Sequence, residues 1–166
     1  MGRTISTKCI HLETEEACKE HYGSISFPIY QTATYAHPGV GQSTGYDYSR
    51  LQNPTREQVG KVVASLENGV DALAFSSGMA AIATLMELFR PGDHIIADAD
   101  LYGGSIRLFD NISEKNGISF TRIDFGTEDP EAYITENTKA IYFETPTNPM
   151  MNVTDIAKMS ALAKKH

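Results

Sequence analysis

Four short stretches carry side chains suited to holding a small anionic ligand. In the first, Phe75-Ser76-Ser77-Gly78-Met79-Ala80-Ala81-Ile82, an apolar run passes through small residues straight into a helix. The first backbone N–H groups of a helix lack intrahelical partners, and the aligned peptide dipoles place about half a positive charge there. An anion is therefore favoured at Ser77, Gly78 and Met79, and Gly78 lets it approach the backbone closely. The same residues equally suit an ordinary strand-to-helix turn with Ser76 or Ser77 as N-cap. The second stretch, Tyr46 to Arg56, is aromatic and basic. Tyr48 and Arg50 occupy alternate positions, so an extended segment would offer a phenol and a guanidinium fork to one anion; a solvent-facing loop is the plain alternative. In the third, Asp100-Leu101-Tyr102-Gly103-Gly104, an aromatic ring stands beside two glycines that leave space over its face, which suits stacking on a flat heteroaromatic ligand. The fourth, Glu144-Thr145-Pro146-Thr147-Asn148-Pro149, sets Asn148, an amide that both donates and accepts, in a loop stiffened by two prolines. Tyr-Gly-Gly and Thr-Asn-Pro are also common turn chemistry.

Positioning these groups falls to a regular alternation that begins at Val70. The pattern predicts a strand from Ala72 to Phe75, then a strongly apolar, buried helix from Met79 to Phe89 stopped by Pro91-Gly92. It continues with strand His94 to Ala97, helix Gly104 to Asn116, strand Ser119 to Asp124, a short helix near Pro130 to Ile134, strand Ala140 to Glu144 and helix Thr154 to Lys165. Such alternation predicts an α/β fold with a mostly parallel sheet, helices on both faces and right-handed connections. Ligands of these sheets bind outside the carboxyl ends of the strands. Ser76 to Met79, Asp98 to Gly104 and Glu144 to Pro149 fall there. Met1 to Gly45 is irregular, with an acidic helix candidate at Thr14 to His21 and a Gly-rich run from Gly39 to Gly45. A helix from Thr55 to about Leu66 follows, with Asn68-Gly69 as its stop.

Composition narrows the function classes. The 166 residues carry a net charge of −7, and their 14 Lys and Arg residues are dispersed, which argues against a nucleic-acid partner. No stretch approaches the roughly 20 apolar residues of a membrane span, and the N-terminus lacks the apolar core of a signal peptide, so a cytoplasmic location is expected. Cys9 and Cys18 fit neither a zinc knuckle nor a redox pair and read as reduced thiols. His11, His21, His37, His94 and His166 show no metal-ligand spacing, and no Gly-x-Ser-x-Gly or His-Glu-x-x-His motif occurs.

Taken together, Tyr48-Ser49-Arg50, Asn53-Pro54-Thr55-Arg56, Ser76-Ser77-Gly78-Met79-Ala80-Ala81, Asp100-x-Tyr102-Gly103-Gly104 and Glu144-Thr145-Pro146-Thr147-Asn148-Pro149 resemble the Cys/Met-metabolism group of pyridoxal-phosphate enzymes, fold type I. The resemblance implies an aminotransferase-like three-layer domain whose N-terminal part is residues 51–166, preceded by an arm, residues 1–50, that contacts a neighbouring subunit. It implies pyridoxal 5'-phosphate as cofactor, with Ser77, Gly78 and Met79 at its phosphate, Tyr102 stacked on its pyridine ring and Asn148 near the ring hydroxyl. Tyr48 and Arg50 would reach the phosphate of the neighbouring subunit, in a dimer or dimer of dimers. Tyr102 and Arg107 are the catalytic candidates. Arg107, three residues beyond Gly104, would place a substrate carboxylate, with a solvated helix arginine as the alternative.

Within that family, Tyr102 to Phe109 is similar to cystathionine gamma-synthases and the lyases close to them, whereas methionine gamma-lyases commonly carry a Cys where Gly104 stands. With Gly39 to Gly45 the pattern looks most like bacterial cystathionine gamma-synthase with O-acetylhomoserine thiolyase activity. The implied reaction is gamma-replacement on an O-acylhomoserine, in which the acyl group leaves and a thiol such as that of cysteine adds. Beta- or gamma-elimination of cystathionine, or methionine gamma-lysis, is the alternative. The family's Asp-Asn-Thr strand end and its Ser-x-Thr-Lys-Tyr motif have no counterpart, since none of Lys8, Lys19, Lys61, Lys115, Lys139, Lys158, Lys164 and Lys165 stands in such a context. The resemblance thus implies an N-terminal piece of a longer enzyme, inactive alone without the lysine that carries the cofactor. A non-catalytic, Rossmann-like binding module is the reading from a different class.

Overall fold

The computed structural model describes residues 4–11 and 21–166. Cys18 and most of the expected helix Thr14 to His21 lie outside them. The chain divides into two compact units, Met1–Phe75 and Ser76–His166.

In the first unit, helix α1 (Ile5–Ile10) is capped by Thr4, whose hydroxyl accepts from the Thr7 N–H at 3.3 Å. The Lys8 ammonium donates to the Ser65 carbonyl at 3.0 Å and so ties α1 to helix α2 (Pro54–Glu67). Helix α2 begins where its sequence says it should. The Asn53 side chain accepts from the Thr55 N–H at 2.9 Å, and Pro54 at the first position has no N–H to leave unpaired. It ends at Asn68, held in the left-handed region at φ 55°, ψ 29°. Gly60, buried in mid-helix, is needed for close approach: a Cβ there would stand 2.6 Å from the Ala72 carbonyl oxygen. The expected strand at Ala72 to Phe75 is not formed. An apolar run becomes a strand only by joining a ladder, and no described strand pairs with this one; Leu73 is 76% exposed.

In the second unit, helix α3 (Gly78–Met86) starts at Ser77, whose Oγ accepts from the Ala80 N–H at 3.1 Å. It stops short of the expected Phe89 because Leu88 and Phe89 bond back three residues, to Leu85 and Met86, tightening the chain ahead of Pro91. The helix is also less buried than its apolar sequence predicts: only Met86 is fully covered, and Leu85 is exposed. Strands β1 (His94–Asp98), β2 (Ser119–Ile123) and β3 (Thr138–Tyr142) form a parallel sheet in the order β2-β1-β3. Strand β3 starts and ends two residues earlier than its expected bounds. Between β1 and β2 the expected single helix is split into α4 (Gly103–Leu108) and a π-helical turn, Phe109–Ser113. A 3₁₀ turn at Pro130–Tyr133 leads from β2 to β3, and α5 (Ile156–Lys165) follows β3.

All five residues of β1 are buried. Because alternate strand residues face opposite ways, Ile95 and Ala97 pack with Phe120, Ala140 and Tyr142 against Met86, Leu101, Phe109 and Ile118. Phe109 is the centre of that layer, stacked on Phe120 at 4.6 Å and edge-on to Tyr142 at 5.1 Å. Ile141 and Phe143 turn to the opposite face and line a cavity with Ile156, Met159 and Ala163. Helices therefore cover both faces of the sheet, as the alternation predicts. At the amino end of the strands His94 spans all three, its ring nitrogens 2.8 Å from the Thr138 hydroxyl and 2.9 Å from that of Thr121; burial lowers its pKa. Among the described residues, no helix is long and apolar enough to cross a membrane.

Candidate functional site

The site of the second unit lies at the opposite, carboxyl end of the sheet. The chain leaves β1 toward β2 on one side while β3 pairs on the other, so the order reverses at β1, the place where an open parallel sheet leaves a crevice. Helix α3 supplies a polar floor. The Ala80 N–H is taken by the Ser77 hydroxyl and the Ala81 N–H by the Ser77 carbonyl at 3.1 Å. The Gly78 and Met79 N–H groups have no acceptor among the described residues. Around Gly78 the space is open, since a Cβ built there would meet nothing within 4 Å. A helix start with two unpaired donors and an open approach is the arrangement an anion needs.

Tyr102 lies beside this floor. A Cβ on Gly104 would come within 2.3 Å of the Tyr102 ring and 2.8 Å of the Met79 sulfur. Gly104 is thus the point at which the ring and the first turn of α3 converge. The sequence suggested that the glycines leave room over the ring; instead the ring packs onto Gly104, and Tyr102 remains 45% exposed, leaving ring surface available for stacking. Arg107 belongs to the same corner, its Nη1 3.7 Å from where a Cβ on Gly103 would be, and its side chain is exposed.

The loop after β3 is bonded to the loop after β1. The Glu144 carboxylate accepts from the Tyr102 N–H at 3.0 Å and holds the residue that starts α4. Asp100 accepts from the Thr147 hydroxyl and, at 3.1 Å, from the Asn152 amide; the Asn152 N–H donates to Thr147 Oγ1 at 2.9 Å. Thr147, at the centre of this network, is 1% exposed, whereas Asp100 is half-buried and Asn152 and the adjacent Asn148 are exposed. Asp98, at the end of β1, is buried, and burial raises its pKa, against the pull of the Asp100 N–H bonded to it at 3.2 Å. Burial likewise raises the pKa of the Tyr142 phenol.

Tyr48 and Arg50 lie in the first unit. They are not on an extended segment, as their alternation suggested. Tyr48 pairs with Thr34 in an isolated bridge, and its carbonyl accepts from the N–H groups of Leu51 and Gln52 at 2.9 and 3.0 Å, closing a turn. The turn still brings the two side chains together, with the Arg50 guanidinium 5.0 Å from the centre of the Tyr48 ring. Nearby, the Tyr46 phenol donates to Glu57 at 2.7 Å, a bond that pushes its pKa up to about 12. Asp100, Glu144, Asn152 and Arg56 are the structural contributors that sequence reasoning left without roles. Asp100, Glu144 and Arg56 stood inside the motifs, but Asp100 and Glu144 meet partners 42 to 52 residues away, and the Arg56 partners, the Ser49 and Leu51 carbonyls, are backbone groups that no side-chain pattern marks. Among the described residues no group of three or more His, Cys, Asp or Glu side chains is placed to hold a metal.

This polar floor, exposed ring and bonded loop pair fit a planar group bearing a phosphate. Residues 6–166 match the family model described as Cys/Met metabolism PLP-dependent enzyme. A cystathionine gamma-synthase/O-acetylhomoserine (thiol)-lyase of Bacillus subtilis is 49% identical, the match covering 94% of this chain and 43% of the relative. A cystathionine beta-lyase of Lactococcus lactis is 47% identical, over 98% of this chain and 43% of the relative. Among solved structures, a cystathionine gamma-lyase from Lactobacillus plantarum, complexed with L-serine, superposes with a TM-score of 0.87 at 44% identity, over 99% of this chain and 42% of that one. The chain spans about 43% of the length of the curated relatives it matches.

Proposed function

The chain belongs to the Cys/Met metabolism PLP-dependent enzyme family, and from that premise we propose that it serves a transsulfuration enzyme that replaces the gamma-substituent of an O-acylhomoserine with a thiol. The observation that carries the cofactor site is the convergence of Met79 and the Tyr102 ring on Gly104, which sets an aromatic face beside the free N–H groups of α3. When bound, the pyridoxal group supplies the electron sink that labilises protons next to the amino-acid nitrogen. The protein's part is to bind and orient. The Ser77, Gly78 and Met79 end of α3 takes the phosphate, whose charge the helix start offsets. Tyr102, whose N–H is bonded to Glu144, would stack on the ring. Asn148, on the loop that Asp100 secures through Thr147 and Asn152, bonds the ring's polar edge. Arg107 directs its fork at the substrate carboxylate. Tyr48 and Arg50 serve the phosphate in a neighbouring subunit, so residues 1–50 act as an arm in a dimer or dimer of dimers.

Gamma-replacement is favoured over elimination by the likeness to the synthase/thiolyase of Bacillus subtilis; the similarity to the beta-lyase of Lactococcus lactis makes cystathionine cleavage the second reading. Family membership speaks for an enzyme over a stand-alone binding module. The deciding experiment supplies the complete protein with O-acetylhomoserine and cysteine, or with cystathionine alone. Cystathionine formed from the first pair supports the proposal. Keto acid and ammonia released from cystathionine, with no replacement product, would transfer the protein to the lyases.

A further inference from the structure

We infer that Arg56 is a positioning residue for Arg50, an inference that rests on the proposed role of Arg50 at a cofactor phosphate. Arg56 lies in the first turn of α2, and its guanidinium fork straddles the turn that carries Arg50. Its Nη1 donates to the Ser49 carbonyl at 2.9 Å and its Nη2 to the Leu51 carbonyl at 2.7 Å, the two residues that flank Arg50. A planar fork with two parallel donors can hold two carbonyls at once; a lysine ammonium on a flexible stem lacks that fixed span. The rest of the turn is fastened separately. The Ser49 N–H donates to the Ala33 carbonyl at 2.9 Å, and the Asn53 amide donates to the Ser49 hydroxyl at 2.9 Å.

Arg50 itself is left free to act outward. Among the described residues no carboxylate pairs with its guanidinium, which rests on the Tyr48 ring. Holding the backbone on both sides of a flexible cationic side chain reduces what must be ordered when an anion arrives. The anchorage is also rigid at its source, because Asn53, three residues before Arg56, caps the helix and bonds the Tyr30 carbonyl at 3.1 Å. Arg56 thereby converts the position of α2 into the position of Arg50.

The test measures affinities of the complete apoprotein by calorimetry for two ligands, pyridoxal phosphate and pyridoxal, which differ only in the phosphate. Arg56→Met should weaken pyridoxal phosphate about tenfold and Arg56→Lys by about threefold, as two bonds or one are lost, with pyridoxal unchanged in both. In an Arg50→Ala background Arg56→Met should add less than about twofold, because the residue it positions has gone. Equal weakening of both ligands, or a full effect retained without Arg50, would show that Arg56 merely supports the fold and would overturn the inference. Should Arg56→Met lower the melting temperature, Arg56→Lys carries the same comparison. A separate failure is visible in Arg50→Ala alone: if that variant binds pyridoxal phosphate as tightly as the parent, the phosphate role of Arg50 is wrong, and the inference goes with it.

Discussion

Replacing Gly60 with alanine tests whether α2 and the segment around Ala72 are in direct backbone contact. The added Cβ would lie 2.6 Å from the Ala72 carbonyl oxygen. Carbon–oxygen contacts in proteins settle at about 3.3 Å or more, so the helix or the segment must retreat by roughly 0.7 Å. A carbonyl cannot rotate out of the way as a side chain can, which places the overpacking cost in the upper part of its usual range, about 2–3 kcal/mol. Alanine returns about 1 kcal/mol of helix propensity. The net expectation is destabilisation by about 1–2 kcal/mol, whereas at an unobstructed helical site the same change would stabilise by about 0.4–1 kcal/mol. The sign alone decides. Amide hydrogen exchange along α2 in the complete protein is the suitable assay, because it reports opening of this helix and not of the whole chain. Exchange should accelerate by roughly 5- to 30-fold. Slower exchange in Gly60→Ala would refute the contact, and with it the account of how α2 holds residue 72.

Gly78→Ala is the converse case: with nothing within 4 Å the fold should keep its melting temperature. The backbone N–H is kept, but the added methyl would fill the open approach and hold the phosphate off the helix start, so pyridoxal phosphate binding should weaken about ten- to a hundredfold if one charge-assisted bond is lengthened beyond use; unchanged affinity would place the phosphate elsewhere. Thr147→Val keeps the shape but leaves Asp100 and the Asn152 N–H without the hydroxyl between them; a loss of about 1–3 kcal/mol in urea unfolding is expected, and no loss would disprove the network. His94, its folded pKa lowered by burial, contributes stability that is present above its ordinary value of about 6.5 and is lost as pH falls toward the folded value. Melting temperatures between pH 7 and pH 5 should therefore fall more steeply for the parent than for His94→Gln, and parallel slopes would refute that assignment.

Much of this protein is legible in local signals, because they act within a turn of helix or a strand. Asn53-Pro54 starts α2 and Asn68 stops it; Ser77 caps α3; the alternation of strands and helices prescribes a parallel sheet with both faces covered. Ser77, Gly78, Met79, Tyr102 and Asn148 are nominated by the rule that loops past the strands hold whatever binds such a sheet, whereas Tyr48, Arg50 and Arg107 come from other signals. Partner choice is different. Whether Ala72 to Phe75 becomes a strand depends on a ladder supplied from elsewhere, and its apolar character alone cannot provide one. Asp100 meets Thr147 and Asn152 across 47 and 52 residues, and Glu144 reaches Tyr102 across 42, contacts that exist only because β1 and β3 are neighbours. Gly60 and Gly104 look like any helical glycines until the Ala72 carbonyl and the Tyr102 ring are brought against them. Short-range hydrogen bonds and periodicity are written in consecutive residues; close approach between distant ones is decided only when the chain packs.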